Sequence, residues 1–274
     1  MKSDRQSKRK VEDPLSWCLA TDISDEVPNR TTGPFTRDRG VAARPASLDA
    51  CWSSCALRVM CTFKNPRQID QRNSDSVIHP TRLIKQGEAI YRANEAFRGL
   101  YAVRTGSFKT IVIHRDGRTQ ITGFQLPGEA IGLDGVGSSC HKLSAIAMQD
   151  STVCIAPFST LDSPCYETKA VQRRMLKMMS GEIARESMQM MLLGTMTAEQ
   201  RVAAFLLDLS KRLTTPGVSP AQFNLPMTRE EIGSYLGLQV ETVSRMFSRF
   251  HRDCLLDAHG KQINSLNLDG LSRL

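Results

Sequence analysis

The chain has 274 residues, 41% hydrophobic and 23% charged, a balance that fits two modest globular units with additional segments. No run approaches the ~20 consecutive apolar residues of a membrane helix, and no apolar stretch follows the basic start of the chain. This excludes an integral membrane protein and predicts a cytoplasmic one with no membrane partner, while the net charge of +8 is spread along the chain, so any contact with nucleic acid must be argued from local placement.

Residues 1–48 carry basic side chains at 5 and 8–10, prolines at 14, 28, 34 and 45, and no sustained apolar period, which predicts a disordered tail. Residues 49–66 form a cysteine-rich segment, and residues 67–167 form the first folded unit. Within it, residues 84–158 read as short strands separated by turns. Phe108, Thr110 and Val112 alternate with their neighbours, Asp116-Gly117 marks a hairpin, and Pro127-Gly128 marks a turn. Further strands are predicted at 144–148 and 153–155. Short strands at this spacing predict a compact β-barrel or roll.

From residue 168 the period changes. Residues 168–193 contain no proline and one glycine and are rich in Met, Leu, Glu and Arg, which predicts a long helix, placed at 168–195. A seven-residue repeat sets Leu176, Ile183 and Met190 on one seam position and Met179, Glu186 and Leu193 on the other. Such a seam needs a partner helix, most simply from a second copy of the chain; the alternative is a core helix packed on its own domain. Glu186 conflicts with a permanent dimer. Two like charges ~4 Å apart at an effective dielectric near 20 repel by about 4 kcal/mol, so dimerisation would be conditional unless Glu186 faces water from a flanking position.

The last unit, 196–274, begins with a helix near 198–212 and a loop with Pro216, Gly217 and Pro220. Thr228-Arg-Glu-Glu231 is a capping box, Ile232, Tyr235 and Leu236 supply an apolar face, and Gly237 makes a turn before a second helix over 240–252. Val243, Met246, Phe247 and Phe250 share the inward face of that helix, and Glu241, Ser244, Arg245, Arg249 and Arg252 lie elsewhere. Two short helices joined by a glycine turn make a helix-turn-helix, whose second helix can enter the DNA major groove. Arg can bond guanine and Glu can accept from cytosine, so Glu241 and Arg245, one turn apart, can read adjacent base pairs; the competing reading is a surface salt bridge between them. Strands at 255–258 and 262–268 around His259-Gly260-Lys261 read as a wing.

The eight cysteines do not form a disulfide framework in a cytoplasmic chain of this size. Cys51, Cys55 and Cys61 cluster within eleven residues, and Cys154 on a predicted strand is the fourth candidate. Four thiolates suit zinc or an iron–sulfur cluster, but from spacing alone unrelated buried thiols remain an equal reading. The five histidines are scattered, and no nucleophile–base set, paired acid and base, or Walker-type phosphate loop appears, so an enzyme is not expected.

These parts together resemble the bacterial transcription regulators of the cAMP receptor protein/fumarate–nitrate reductase regulator group, over about residues 51–270. The stretches that carry the resemblance are Tyr101-Ala-Val-Arg-Thr-Gly106, Gln120-Ile-Thr-Gly-Phe124, Ser180-Gly-Glu-Ile183, Arg201-Val-Ala-Ala-Phe205 and Val240-Glu-Thr-Val-Ser-Arg245. The resemblance implies an α+β architecture: a β-roll sensor like a cyclic-nucleotide-binding domain, a long dimerisation helix and a C-terminal winged helix-turn-helix. The nucleotide-binding branch follows its Gly-Glu turn with an Arg-Ser pair that holds the cyclic phosphate. Here Gly128-Glu129 stands, but Lys142-Leu-Ser-Ala-Ile146 occupies the later position, which argues against cAMP. The oxygen-sensing branch is the nearer one and implies a [4Fe–4S] cluster on Cys51, Cys55, Cys61 and Cys154. In that branch the usual spacing is C-x2-C-x5-C, whereas here Trp52 takes the first place and Cys51 lies one residue earlier. The resemblance further implies Glu241, Ser244 and Arg245 as base contacts to a TTGAT half-site, Thr228, Arg229 and Thr242 as DNA backbone contacts, and Glu186 as the acidic residue of the dimer helix. Double-stranded DNA, a second copy of the chain and RNA polymerase are the implied partners. A regulator of the same fold without a cluster, responding through thiols, zinc or another ligand, is the alternative.

Overall fold

The computed structural model describes residues 55–57, 79–157, 169–213 and 221–274. The expected tail, Cys51, Cys61, Cys18 and Cys165 lie outside these residues. Eight strands come first: β1 (His79–Ile84), β2 (Ala89–Tyr91), β3 (Gly99–Thr105), β4 (Phe108–Ile113), β5 (Thr119–Gln125), β6 (Ala130–Ile131), β7 (Ser144–Ala147) and β8 (Ser151–Pro157). They form two four-stranded antiparallel sheets, ordered β1-β8-β3-β6 and β2-β7-β4-β5, as the strand spacing predicts. The hairpin predicted at Asp116-Gly117 joins β4 to β5, closed by the His114 amide on the Arg118 carbonyl at 2.8 Å.

Strands β3 and β8 separate two apolar clusters by simple alternation of side chains. Tyr101 and Val103 on β3 pair with Ile155 and Val153 on β8 and fill the interior of the roll with Phe108 and Ile131. The intervening Leu100 and Ala102 pair with Ala156 and Cys154 and face the other way, into a cluster with Cys55, Leu57, Phe97 and Val171.

Two long helices follow, α1 (Lys169–Thr195) and α2 (Ala198–Leu213). Over its 27 residues α1 buries only Val171 and Leu192 within this chain. After a short strand β9 (Phe223–Asn224) come α3 (Arg229–Leu236) and α4 (Val240–Arg252), then the hairpin β10 (Leu256–His259) and β11 (Gln262–Leu266), and a last helix α5 (Leu268–Ser272). β9 adds a third strand to the wing. The second wing strand stops at Leu266 rather than at the expected 268. Asn267 ends it by capping α5, its side-chain oxygen accepting from the Gly270 amide at 2.9 Å.

Candidate nucleic-acid interface and thiol site

The capping box read in the sequence is formed at both ends. The Glu231 amide donates to Thr228 Oγ1 at 3.1 Å, and the Thr228 amide donates to Glu231 Oε2 at 2.8 Å. The turn after α3 depends on two glycines. Gly237 takes the left-handed conformation at φ 63°, and a Cβ on Gly233 would stand 2.6 Å from the Leu238 carbonyl oxygen. Val243, Phe247 and Phe250 of α4 are buried and Met246 is half-buried, as the helical period requires. Glu241, Ser244, Arg245, Arg249 and Arg252 are exposed on its other side.

Arg245 donates to Thr242 Oγ1 at 3.1 Å, so its guanidinium is steadied by a neighbour one turn back. Arg249 is tied into the domain instead, to Glu199 of α2 at 3.0 Å. Arg229 also has an inward role. Its guanidinium lies 3.3 Å above the Phe247 ring centroid and donates to the Gly260 carbonyl of the wing turn at 3.1 Å. Burial pulls its pKa down to about 10.

The seam residues of α1 stand open to solvent in the single chain. Leu176 and Met190 are each 67% exposed and Ile183 is 62% exposed, with Met179, Leu193 and Glu186 also exposed along the same helix. Apolar exposure sustained over this length marks a surface that takes a partner.

Of the four candidate thiols, the described residues bring two into one place. Cys55 and Cys154, 99 positions apart in sequence, are both buried and belong to the same apolar cluster. On β3 and β8 the neighbours of Cys154 are the small Ala102 and Ala156. The same cluster takes in Val171, with Met175 and Met178 packed against it, so the thiols lie against the start of α1. The segment 55–57 is fastened on both sides. Its Ala56 amide donates to the Gly128 carbonyl at 2.7 Å, and its Ala56 carbonyl accepts from Arg174 Nε at 2.9 Å. Among the described residues no group of three or more His, Cys, Asp or Glu side chains converges. Cys51 and Cys61 are tethered to Cys55 by four and six residues, which span at most ~14 Å and ~22 Å. A pair of buried thiols with two more on short tethers fits a thiolate-bound cluster.

The loop at Lys142 and Leu143 is closed by an internal carboxylate. Asp134 accepts from the Lys142 amide at 2.8 Å, the Leu143 amide at 3.1 Å and the Tyr91 hydroxyl at 3.2 Å. The fully buried His141 stacks on Tyr91 with ring centroids 3.4 Å apart and its Nδ1 3.4 Å from Asp134.

The roll and the C-terminal unit also touch, through residues more than a hundred positions apart. Lys109 of β4 meets the capping-box Glu231 at 2.7 Å, the Ile121 amide of β5 donates to Ser234 Oγ at 3.1 Å, and the Gln120 side chain donates to the Ser234 carbonyl. Phe124 of β5 packs with Phe205 and Tyr235, ring centroids 6.1 and 5.2 Å away.

Comparison with known proteins agrees with this fold. Residues 200–274 match the Crp-like helix-turn-helix domain family, and residues 81–164 match the cyclic nucleotide-binding domain family. The chain is similar to the transcriptional activator protein FnrA of Stutzerimonas stutzeri, 38% identical over 229 residues that cover 84% of this chain and 94% of that one. It is also similar to the fumarate and nitrate reduction regulatory protein of Escherichia coli strain K12, 39% identical over 80% of this chain and 88% of the other. Among solved structures, FixK2 from Bradyrhizobium japonicum superposes with a TM-score of 0.66 at 36% identity, over 71% of this chain and 96% of that one.

Proposed function

The chain belongs to the CRP/FNR family of DNA-binding transcription regulators and is not an enzyme; from that premise we propose that it is a dimeric, oxygen-responsive regulator that binds a [4Fe–4S] cluster and a palindrome of TTGAT half-sites when oxygen is low. The observation that carries this reading is the burial of Cys55 and Cys154 together against the first turns of α1. Cys51, Cys55, Cys61 and Cys154 would hold the cluster. When bound, it supplies an oxygen-labile cross-link between the N-terminal segment and β8.

The protein's own residues do the rest. With the segment 55–57 seated, Arg174 is held by the Ala56 carbonyl, and Val171, Met175 and Met178 are packed, so the start of α1 is fixed. The seam of Leu176, Met179, Ile183, Met190 and Leu193 can then pack on its copy against the repulsion of the two Glu186 side chains. A dimer sets two α4 helices about one DNA turn apart on a palindrome. On that palindrome Glu241, Ser244 and Arg245 would read base edges, and Thr228, Arg229 and Thr242 would contact the DNA backbone. Polymerase contact follows from the family's role as activators. The Asp134 carboxylate on the Lys142 and Leu143 amides supports a pocket without cAMP, because an anion of the protein already takes the donors a phosphate would need. Cys154→Ser should abolish anaerobic binding to the palindrome, while Cys140→Ser leaves it intact. Unchanged binding by the Cys154 variant contradicts the ligand set.

A further inference from the structure

The turn that receives the Cys55 segment is also the turn that holds the C-terminal unit. Gly128 and Glu129 lie between β5 and β6. The Gly128 carbonyl accepts the Ala56 amide at 2.7 Å. On the next residue, the Glu129 carboxylate takes two arms of Arg212 from α2, with Nε on Oε1 and Nη2 on Oε2 each at 2.9 Å. Arg212 also donates to the Phe124 carbonyl and, at 3.0 Å, to Asp208, and the Leu126 amide donates to Glu129 Oε2 at 2.9 Å. The two side chains are 15% and 23% exposed. A two-armed guanidinium–carboxylate pair fixes orientation as well as distance, so it sets how α2 sits on the roll.

The two contacts share one rigid element. The Gly128 carbonyl and the Glu129 amide belong to the same planar peptide unit. Turning that carbonyl away from Ala56 therefore turns the Glu129 amide off the Leu126 carbonyl, to which it donates at 3.1 Å, and so disturbs the turn whose Leu126 amide holds the Glu129 carboxylate. We propose that the Glu129–Arg212 pair is a latch through which the seating of the Cys55 segment sets the placement of the DNA-binding unit, within one chain and apart from the α1 seam. The proposal rests on the cluster reading only for what seats and unseats the segment. Burial works against the charge on Glu129, but Arg212 outweighs it and holds the carboxyl below its usual range.

A shared path requires evidence of coupling, which a mutant cycle supplies. The experiment is hydrogen–deuterium exchange by mass spectrometry on the full chain, read at residues 205–213 and 229–236. The proteins are the wild type, Glu129→Gln, Arg212→Gln, their double variant, Arg212→Lys, and Ala56→Pro, which removes the amide that Gly128 accepts. Each single Gln variant should raise exchange at 205–213 about tenfold, the double no further, and Arg212→Lys less. Ala56→Pro should raise it as well, and should add nothing in the double-variant background. Wild-type exchange in the Gln variants, or an Ala56→Pro effect that adds fully to theirs, overturns the latch. Admitting air to iron-loaded protein should reproduce the Ala56→Pro effect in the wild type. If air has no effect while Ala56→Pro does, the cluster reading fails and the latch stands.

Discussion

The ion pair between Lys109 and Glu231 is the charged contact among those by which the roll grips the first helix of the DNA-binding motif. Its strength can be worked from its surroundings. The atoms are 2.7 Å apart, and the side chains are 25% and 18% exposed. A charged hydrogen bond contributes about 1.5–3 kcal/mol, and a fully exposed pair about 0–1 kcal/mol. With about a fifth of each side chain in water, the coupling should fall at about 1–2 kcal/mol, roughly a tenfold effect. Glu231→Gln is the informative change because glutamine keeps the reach back to the Thr228 amide and removes only the charge. Lys109→Met removes the partner while keeping the packing of its stem. Urea unfolding of the two single variants, the double variant and the wild type gives the coupling directly. Effects that add to within about 0.3 kcal/mol would refute the grip.

Three further outcomes follow from named contacts. Gly233→Ala forces a Cβ to within 2.6 Å of the Leu238 carbonyl, so it should cost about 1–3 kcal/mol in thermal unfolding and weaken DNA binding; a neutral variant would show that the close approach is not needed. Glu186→Ala removes the like-charge conflict in the α1 seam and should give a dimer in air by sedimentation, whereas a monomer would assign the conditional step elsewhere. Glu129 and Glu231 are both charged despite burial, and their partners hold each carboxyl below its ordinary value. Their stabilisation is complete above the unfolded value near 4.5 and is lost as pH falls through the lower folded values. Glu129→Gln should therefore flatten the acid limb of a stability-against-pH curve, and an unchanged limb would remove Glu129 from it.

What could be read in the sequence was local or periodic. The capping box at Thr228, the inward Val243, Phe247 and Phe250, and the open seam from Leu176 to Leu193 each lie within one helix or two, where spacing alone sets the face. The β4–β5 hairpin was marked by its own turn residues. What escaped depends on distance in sequence. The spacing from Thr228 identifies Glu231 as a cap, but its partner Lys109 is 122 positions away. Local pattern puts Cys154 on a strand, yet the face it takes depends on the pairing of β8 with β3, which no local pattern encodes. Arg229 carries the charge of a phosphate contact, and only the fold reveals that Phe247 and the wing turn hold it. Strand β9, two residues long, is too short to leave a period.

If the buried thiols of Cys55 and Cys154 belong to an oxygen-labile cluster that governs DNA binding, then iron, oxygen and DNA binding must change together. Iron and acid-labile sulfide should be measured in protein purified without oxygen, with the visible spectrum and palindrome binding followed together as air is admitted. About four iron and four sulfide per chain, bleaching in step with loss of dimer and of DNA, is the expected result. Iron-free protein that binds the palindrome equally well with and without oxygen would contradict it.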